Sequence, residues 1–216
     1  CLGAPPDLII VLGGDGFTLK VINKYWSLQA PFFGINFGTK GFLLNEDRQD
    51  IESMIADGKY KVYEFPLLKV SAFLVVDDGN FCQQVSANDI YIKSLSASQA
   101  IRLRVKINDL DLCELTADGL VVSTPLGSTA YNLSAGGAVV HYSLPVICVK
   151  SLNEVWPQQL PSLVLPWDMK ISVTVMDTKK RKALVSCGES FSFENVSYVV
   201  IEKSPKTFFL ALLEGE

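Results

Sequence analysis

The stretch Ala117 to Gly137, ADGLVVSTPLGSTAYNLSAGG, limits what this chain can fold into more than any other. Leu120, Val121 and Val122 are apolar and largely β-branched, which suits a strand. Pro125 and Gly127 break regular structure, and residues 128–135 restart it with small residues and hydroxyls, so the segment predicts strand, loop and then helix. Such a turn leaves backbone N–H groups at a helix N-terminus, where they and the helix dipole suit the oxygens of an anion or the polar edge of a nucleotide. For an isolated segment the plainer reading is that Ser128 or Thr129 simply caps a buried helix.

The segment is not isolated. Upstream, Leu8-Ile9-Ile10-Val11-Leu12 runs straight into Gly13-Gly14-Asp15-Gly16, a buried strand ending in a glycine turn that carries one carboxylate. Three glycines let the main chain come close to phosphate, and the aspartate between them faces the same ligand.

Together the two segments resemble the NAD kinase family. GGDG alone is shared with lipid kinases of the diacylglycerol type and, more loosely, with phosphofructokinases. The long segment decides it: Asp118-Gly119-Leu120, Ser123-Thr124-Pro125, Gly127-Ser128-Thr129-Ala130-Tyr131 and Ser134-Ala135-Gly136-Gly137 stand in the family's order and spacing. Asn88-Asp89-Ile90-Tyr91-Ile92 is similar to the family's Asn-Glu-hydrophobic strand, with aspartate in place of glutamate. Gly34-Ile35-Asn36 with Gly38-Thr39-Lys40-Gly41-Phe42-Leu43 resembles its next glycine turn. The resemblance runs from about Asp7 to about Ser190.

Composition fits that reading. With 216 residues, 49% of them hydrophobic, the chain can bury a sizeable core in one large domain or two small ones. Only 19% are charged and the net charge is −4, with no basic cluster beyond Lys179-Lys180-Arg181-Lys182, so neither nucleic acid nor an anionic membrane is an expected partner. That basic run lies between two strand-like segments and reads as a solvated hairpin turn. No apolar run reaches the length of a membrane span, and the first residues lack the regions of a signal peptide.

The five cysteines, Cys1, Cys82, Cys113, Cys148 and Cys187, are odd in number and show no metal-site spacing. They read as reduced, mostly buried thiols of a cytoplasmic protein. His141 is the only histidine, which excludes a multi-histidine metal site, and its place just beyond Gly137 reads as structural. No metal ligands are assigned on the chain.

Taken in order, residues 7–12 predict a strand, residues 17 to about 27 a helix, residues 31–36 a second strand and residues 47–57 a second helix stopped by Gly58. Alternating strand and helix argue for a parallel α/β sheet, whose ligands bind at the carboxyl ends of the strands. From residue 59 the pattern becomes strands and short turns. Residues 60–76, the turn Asp77-Asp78-Gly79-Asn80 and residues 81–85 read as a hairpin. Residues 101–107 and 171–175 alternate, so each strand has one wet face. Beyond Val62 the one convincing helix is that after Gly127.

The fold class expected is therefore an α/β N-terminal domain with a parallel, Rossmann-like sheet and the GGDG turn, followed by a mostly β domain. The division expected is residues 1–58, with the strand at 207–213 bringing residues 205–216 back to that domain, and residues 59–204 as an all-β NAD-binding domain. The family carries a further β-α unit before the GGDG strand for which this chain has little room; either the numbering begins inside the protein or this version is shortened.

Phosphoryl transfer needs positioning, charge neutralisation and a group to take the hydroxyl proton. Asp15, the one carboxylate in a glycine turn at a strand end, is the candidate base. Gly13, Gly14 and Gly16 offer backbone to phosphate, and Lys20 adds positive charge or else merely faces solvent. Asn88 and Asp89, an amide beside a carboxylate, suit ribose hydroxyls or an adenine edge. On the residues alone they read as a turn; the resemblance makes them NAD-binding. It likewise assigns the dinucleotide to Thr129, Ala130, Tyr131 and Ser134, with Tyr131 as an aromatic wall. Asp118 becomes a further polar contact, reaching the dinucleotide from a neighbouring subunit. Residues 134–137 also read as a site of tight backbone packing.

Three positions depart from the family. Cys187-Gly188-Glu189-Ser190 stands where an Asp-Gly pair is common, Leu126 where some members are polar, and Asp89 is one methylene short. The activity implied is transfer of the terminal phosphate of ATP, or of polyphosphate, to the 2′-hydroxyl of NAD's adenosine ribose, with Mg²⁺ arriving with the donor and the protein a homodimer or homotetramer. The rivals are a diacylglycerol-type lipid kinase built on the same turn and a non-catalytic NAD-binding module.

Overall fold

A computed structural model describes residues 4, 6–38, 41, 43–75, 81–156, 161–188 and 191–213. The chain forms two compact units, residues 1–66 with 205–216, and residues 67–204.

The first unit opens with β1 (Ile9–Gly13), α1 (Asp15–Tyr25) and β2 (Phe32–Asn36). β1 and β2 run parallel, so the segment is a β-α-β unit, as the alternation predicted. The helix starts two residues earlier than expected, because extended Gly14 serves as its N-cap and Asp15 enters the first turn, where a carboxylate favours the dipole. Thr18, Leu19 and Ile22 are its buried side. A two-residue β3 (Asn45–Glu46) also lies parallel to β2.

The second helix, α2 (Ile51–Ala56), is shorter than predicted. Its polar lead-in closes a turn of its own, with the Ile51 N–H on the Arg48 carbonyl and the Ser53 hydroxyl on the Asp50 carbonyl. Gly58 ends it at φ +67, the Gly58 N–H donating to Ile55 and the Lys59 N–H to Met54. That paired arrangement needs a left-handed residue.

β4 (Tyr60–Leu74) pairs antiparallel with β5 (Phe81–Ser86), the hairpin expected; its turn at residues 77–80 lies outside the described residues. The second unit continues with β6 (Asp89–Ser94), β7 (Ile101–Ile107), β8 (Leu110–Ala117) and β9 (Gly119–Ser123). After the single-turn α3 (Tyr131–Ser134) come β10 (Val146–Leu152), β11 (Leu163–Pro166), β12 (Ile171–Met176), β13 (Ala183–Cys187), β14 (Phe191–Glu194) and β15 (Val196–Leu213).

Six strands form one sheet in the order β11-β10-β9-β6-β13-β14. β15, β12, β7 and β8 pair antiparallel in a second. Ile90, Ile92, Leu120 and Val122 of the first sheet and Leu103, Val105, Val173 and Val199 of the second share one core. The expected α/β part and mostly β part are thus both present.

On β7 the alternation holds: Ile101, Leu103 and Val105 are buried, while Arg102 pairs with Asp177, Arg104 with Glu114 and Lys106 with Asp111. β12 differs. It lies between β7 and β15, and Ser172 is as buried as its apolar neighbours. The basic run 179–182 is a turn, with the Lys180 and Arg181 N–H groups on the Asp177 carbonyl, but it is no hairpin. β12 and β13 belong to different sheets, so the turn carries the chain across the core. The last strand is not a separate segment at 207–213 either: β15 is continuous over 18 residues through Pro205, and Leu210 sits parallel to Phe32 in the first unit.

Candidate functional site

In the first unit, Gly13 pairs with Asn36 at the ends of the parallel β1 and β2, so both glycine turns leave the carboxyl edge of the sheet. The Phe37 N–H donates to the Gly13 carbonyl at 3.1 Å and the Gly38 N–H to Asn36 Oδ1 at 2.9 Å. Asp15 Oδ1 accepts the Leu43 N–H at 3.1 Å, which ties the first turn to the loop after the second. Thr39, Lys40 and Phe42 of that second turn lie outside the described residues.

Neither Gly14 nor Gly16 has a positive φ, and a Cβ built on either meets nothing within 4 Å. Neither packing nor backbone conformation calls for glycine there. What the two glycines provide is bare main chain beside open space, the condition for a phosphate to approach. Lys20 is exposed and five residues along α1 from Asp15, about 7.5 Å of axis and about 140° of rotation, so it leaves the helix on a different side.

In the second unit the Ser123–Gly137 segment follows the expected order of strand, loop and helix, with the helix short: a 3₁₀ turn (Leu126–Thr129) leads into the four residues of α3. Its N–H groups are used within the unit: Gly127 donates to Thr124 Oγ1, Ser128 to the Pro125 carbonyl and Ala130 to the Gly127 carbonyl. Ser128 and Thr129 do not cap either, since their hydroxyls donate to the Pro125 and Leu126 carbonyls. Short hydroxyl side chains compete in this way with helical bonding. The N–H at the start of α3, that of Tyr131, is taken by the Asp89 carboxylate, so this helix N-terminus meets an anion of the chain itself.

What the segment builds instead is a tight seat for Asn88 and Asp89. The Thr124 N–H donates to the Asn88 carbonyl at 2.7 Å, and Thr124 Oγ1 to the Ala87 carbonyl at 2.8 Å. A Cβ at Gly127 would lie 2.2 Å from the Asn88 carbonyl oxygen, so glycine is required for this approach. Asn88 Oδ1 is buried and, among the described residues, has no hydrogen-bond partner, an acceptor held ready.

Asp89 pairs with Ser123 at the end of β9 and is 4% exposed. Burial pushes its carboxyl up to about 6, against the pull of the Tyr131 N–H that it accepts. The Tyr131 ring meets Tyr91 edge-on with centroids 5.3 Å apart. Lys93 Nζ lies 5.5 Å from the Tyr131 centroid and 5.9 Å from that of Tyr91.

The structure therefore brings Asn88, Asp89, Thr129, Ala130 and Tyr131 together. Ser134 is exposed on the far end of α3, its hydroxyl on the Ala130 carbonyl. Asp118 precedes β9 at the end opposite Ser123, roughly 13–17 Å along the strand from Asp89. It is exposed and takes a bond from the Asn153 amide at 2.9 Å. His141 is exposed and bonded to Ser143, a local contact only. Tyr91 and Lys93 escaped the sequence reading; their signal is the i, i+2, i+4 spacing from Asp89, which puts all three on one face of β6.

Cys148 and Cys187 are buried thiols pushed up by burial to about 11 and about 12, Cys187 also by the charge of Asp89, so neither is a nucleophile. Cys1 and the Glu189-Ser190 pair lie outside the described residues. Among the described residues no three His, Cys, Asp or Glu side chains gather as a metal site, and no helix is long and apolar enough to cross a membrane.

Comparison with known proteins bears on both units. The family model described as "ATP-NAD kinase N-terminal domain" matches residues 3–58, and "ATP-NAD kinase C-terminal domain" matches residues 87–213. The NAD kinase of Rickettsia bellii is 33% identical over 210 residues, 94% of this chain and 80% of the relative. That of Nitrosospira multiformis is 32% identical over 209 residues, 94% and 69% respectively.

Among solved structures, an NAD kinase from Archaeoglobus fulgidus in complex with ATP superposes with a TM-score of 0.79 at 25% identity, over 94% of this chain and 77% of that one. Yeast NADH kinase complexed with NADH gives 0.84 at 22% identity over 98% of this chain; the chain spans 62% of that protein's length, and the likeness speaks for the fold. A lipid kinase sharing only the glycine turn gives no account of a match that extends through residues 87–213. With its N-terminal and C-terminal segments both matched by the family's models, and with relatives of that name aligned over nearly all of its length, the chain belongs to the NAD kinase family.

Proposed function

We propose that the chain transfers the terminal phosphate of ATP to the 2′-hydroxyl of the adenosine ribose of NAD, giving NADP and ADP. The observation that carries the reading is Asp15, a carboxylate at the first turn of α1 flanked by two glycines that open onto free space, in a chain of this family. The ribose oxygen forms a bond to the γ-phosphorus, the β–γ bridging bond breaks towards ADP, and the hydroxyl proton passes to Asp15. Magnesium enters as part of the Mg·ATP substrate. Gly13, Gly14 and Gly16 offer backbone to phosphate; Lys20, which leaves α1 on a different side from Asp15, adds positive charge to the first unit at a distance only. Polyphosphate is the alternative donor.

In the second unit Asn88, Asp89, Thr129, Ala130, Tyr131 and Ser134 bind the dinucleotide, the unpartnered Asn88 Oδ1 supporting that role. An NADP-forming assay coupled to an NADP-specific dehydrogenase tests the reading: formation of NADP from NAD with ATP is expected, and NAD binding without turnover would leave a binding module. Tyr131→Ala is expected to raise KM for NAD on the order of tenfold with kcat little changed, since a stacking wall serves ground state and transition state alike. A collapse of kcat at constant KM gives Tyr131 another role.

The protein acts in the cytoplasm as a homodimer or homotetramer, with Asp118 reaching the dinucleotide of a neighbouring subunit. Supporting this, Asp118 is exposed and far along β9 from Tyr131, and Val155 and Trp156 stand 61% and 62% exposed in the same unit. Sedimentation is expected to show an oligomer at micromolar concentration; a fully active monomer overturns it.

A further inference from the structure

β6 presents two different faces. Ile90 and Ile92 are fully buried in the core between the sheets, while Asp89, Tyr91 and Lys93 alternate with them on the other face. Tyr131 is held by all three: its N–H by the Asp89 carboxylate, its ring by the edge of its contact with Tyr91 and by the Lys93 ammonium. Among the described residues no carboxylate pairs with Lys93, whose head group lies against the two rings. A cation beside two rings at these distances is attracted by their quadrupoles, and a ring so gripped cannot swing freely about its side-chain torsions.

We propose that Lys93 is a positioning residue that fixes the ring of Tyr131 as the wall against which a base of the dinucleotide stacks. The inference rests on the dinucleotide site proposed above for Tyr131. A ring immobilised before binding loses less freedom when the base arrives, so the benefit falls on substrate affinity and not on the chemical step. Lys93 itself takes no part in phosphoryl transfer.

The test is a double-mutant cycle with one readout that needs no substrate. Lys93→Met is expected to raise KM for NAD about 2- to 5-fold with kcat unchanged, the range a cation–π contact supports. Lys93→Arg restores KM, since a guanidinium stacks as well. In a Tyr131→Ala background Lys93→Met has no further effect, because the residue acts through the ring. In the free protein, the Lys93 ε-methylene resonance, lying in the ring current, moves downfield in Tyr131→Ala.

An equal effect of Lys93→Met with and without the Tyr131 ring means the ammonium acts on the substrate directly, and overturns the proposal. So does a resonance that stays in place. Should Tyr131→Ala raise KM while Lys93→Met does not, only this proposal falls. Should Tyr131→Ala leave KM unchanged although the resonance moves, the dinucleotide reading of Tyr131 falls and takes the proposal with it.

Discussion

Asp15→Asn is expected to lower NADP formation by roughly 10² to 10⁴, the usual contribution of a positioned general base, with the fold and the affinity for NAD nearly unchanged. The fold should persist because asparagine keeps a side-chain oxygen where Asp15 Oδ1 accepts the Leu43 N–H at 3.1 Å. Asparagine also suits a residue entering a helix, and the lost carboxylate in the first turn of α1 costs about 0.3–1 kcal/mol of dipole interaction. For a protein of this size that is a fall of at most about 4 °C in Tm. What disappears is the negative charge that orients a ribose hydroxyl and accepts its proton.

The competing view is that Asp15 only ties the glycine turn to the Leu43 loop. In that case the variant should melt well below the parent and lose NAD in step with its rate. Turnover, calorimetric affinity for NAD and the thermal midpoint, measured on one preparation, separate the two. Near-normal turnover, or losses of affinity and stability parallel to the loss of rate, removes Asp15 from the role of base.

Asp15 stands out in the sequence as a candidate because a carboxylate between glycines after an apolar strand has few structural reasons to be there; the expectation that this strand is buried does not hold, since Ile10 and Leu12 of β1 are exposed. The β-α-β unit was legible for a related reason: β1 and β2 are short apolar runs bounded by breakers, and local pattern alone identifies such strands. The helix after Gly127 was legible, but its short length and the roles of its hydroxyls were not. Ser128 and Thr129 look like helix starters, yet the same hydroxyls satisfy their own turn, and only the close pass of Asn88 over Gly127 decides between the two.

The other misses are non-local as well. Pro205 has no backbone N–H to donate, so it can stand within β15 only where no neighbouring strand needs that donor, a fact of pairing that sequence does not hold. The turn at residues 179–182 reads as a hairpin because its flanks alternate; that β12 and β13 join different sheets is set by a core assembled from distant strands. Lys93 in an alternating strand reads as a solvated lysine. Its partner Tyr131 comes from another loop, and the pairing of β6 with β9 is what brings them together.

Asp89→Asn is expected to change stability in a pH-dependent way while weakening dinucleotide binding. Asp89 is 4% exposed, pairs with Ser123 and has, among the described residues, no cationic partner within ion-pair distance. Burial raises its carboxyl from 3.8 to about 6. Because the folded value lies above the unfolded one, the native state binds more protons than the unfolded state between about pH 4 and pH 6. Native stability therefore falls as pH rises through that window, and above it the protein carries the full penalty of a buried charge, about 3 kcal/mol for a shift of this order.

Asparagine does not titrate, so the stability of the variant minus that of the parent should grow by about 3 kcal/mol from pH 4 to pH 7. The absolute offset is smaller, since the new amide N–H groups need acceptors in a buried place. Its oxygen still accepts the Tyr131 N–H, so the loop should keep its seat. Denaturant titrations of both proteins at several pH values give the difference directly, and a difference flat with pH would show that the carboxyl titrates normally.

Function should move the opposite way. A carboxylate accepts two ribose hydroxyls strongly and a carboxamide does so weakly, so KM for NAD rises in the variant at pH 7. In the parent, KM should rise as pH falls through about 6 and Asp89 takes up a proton, and that dependence should vanish in Asp89→Asn. A residue that destabilises the fold at the pH where it binds best is what a binding site built into a sheet end requires: the charge is kept for the ligand and the core bears its desolvation.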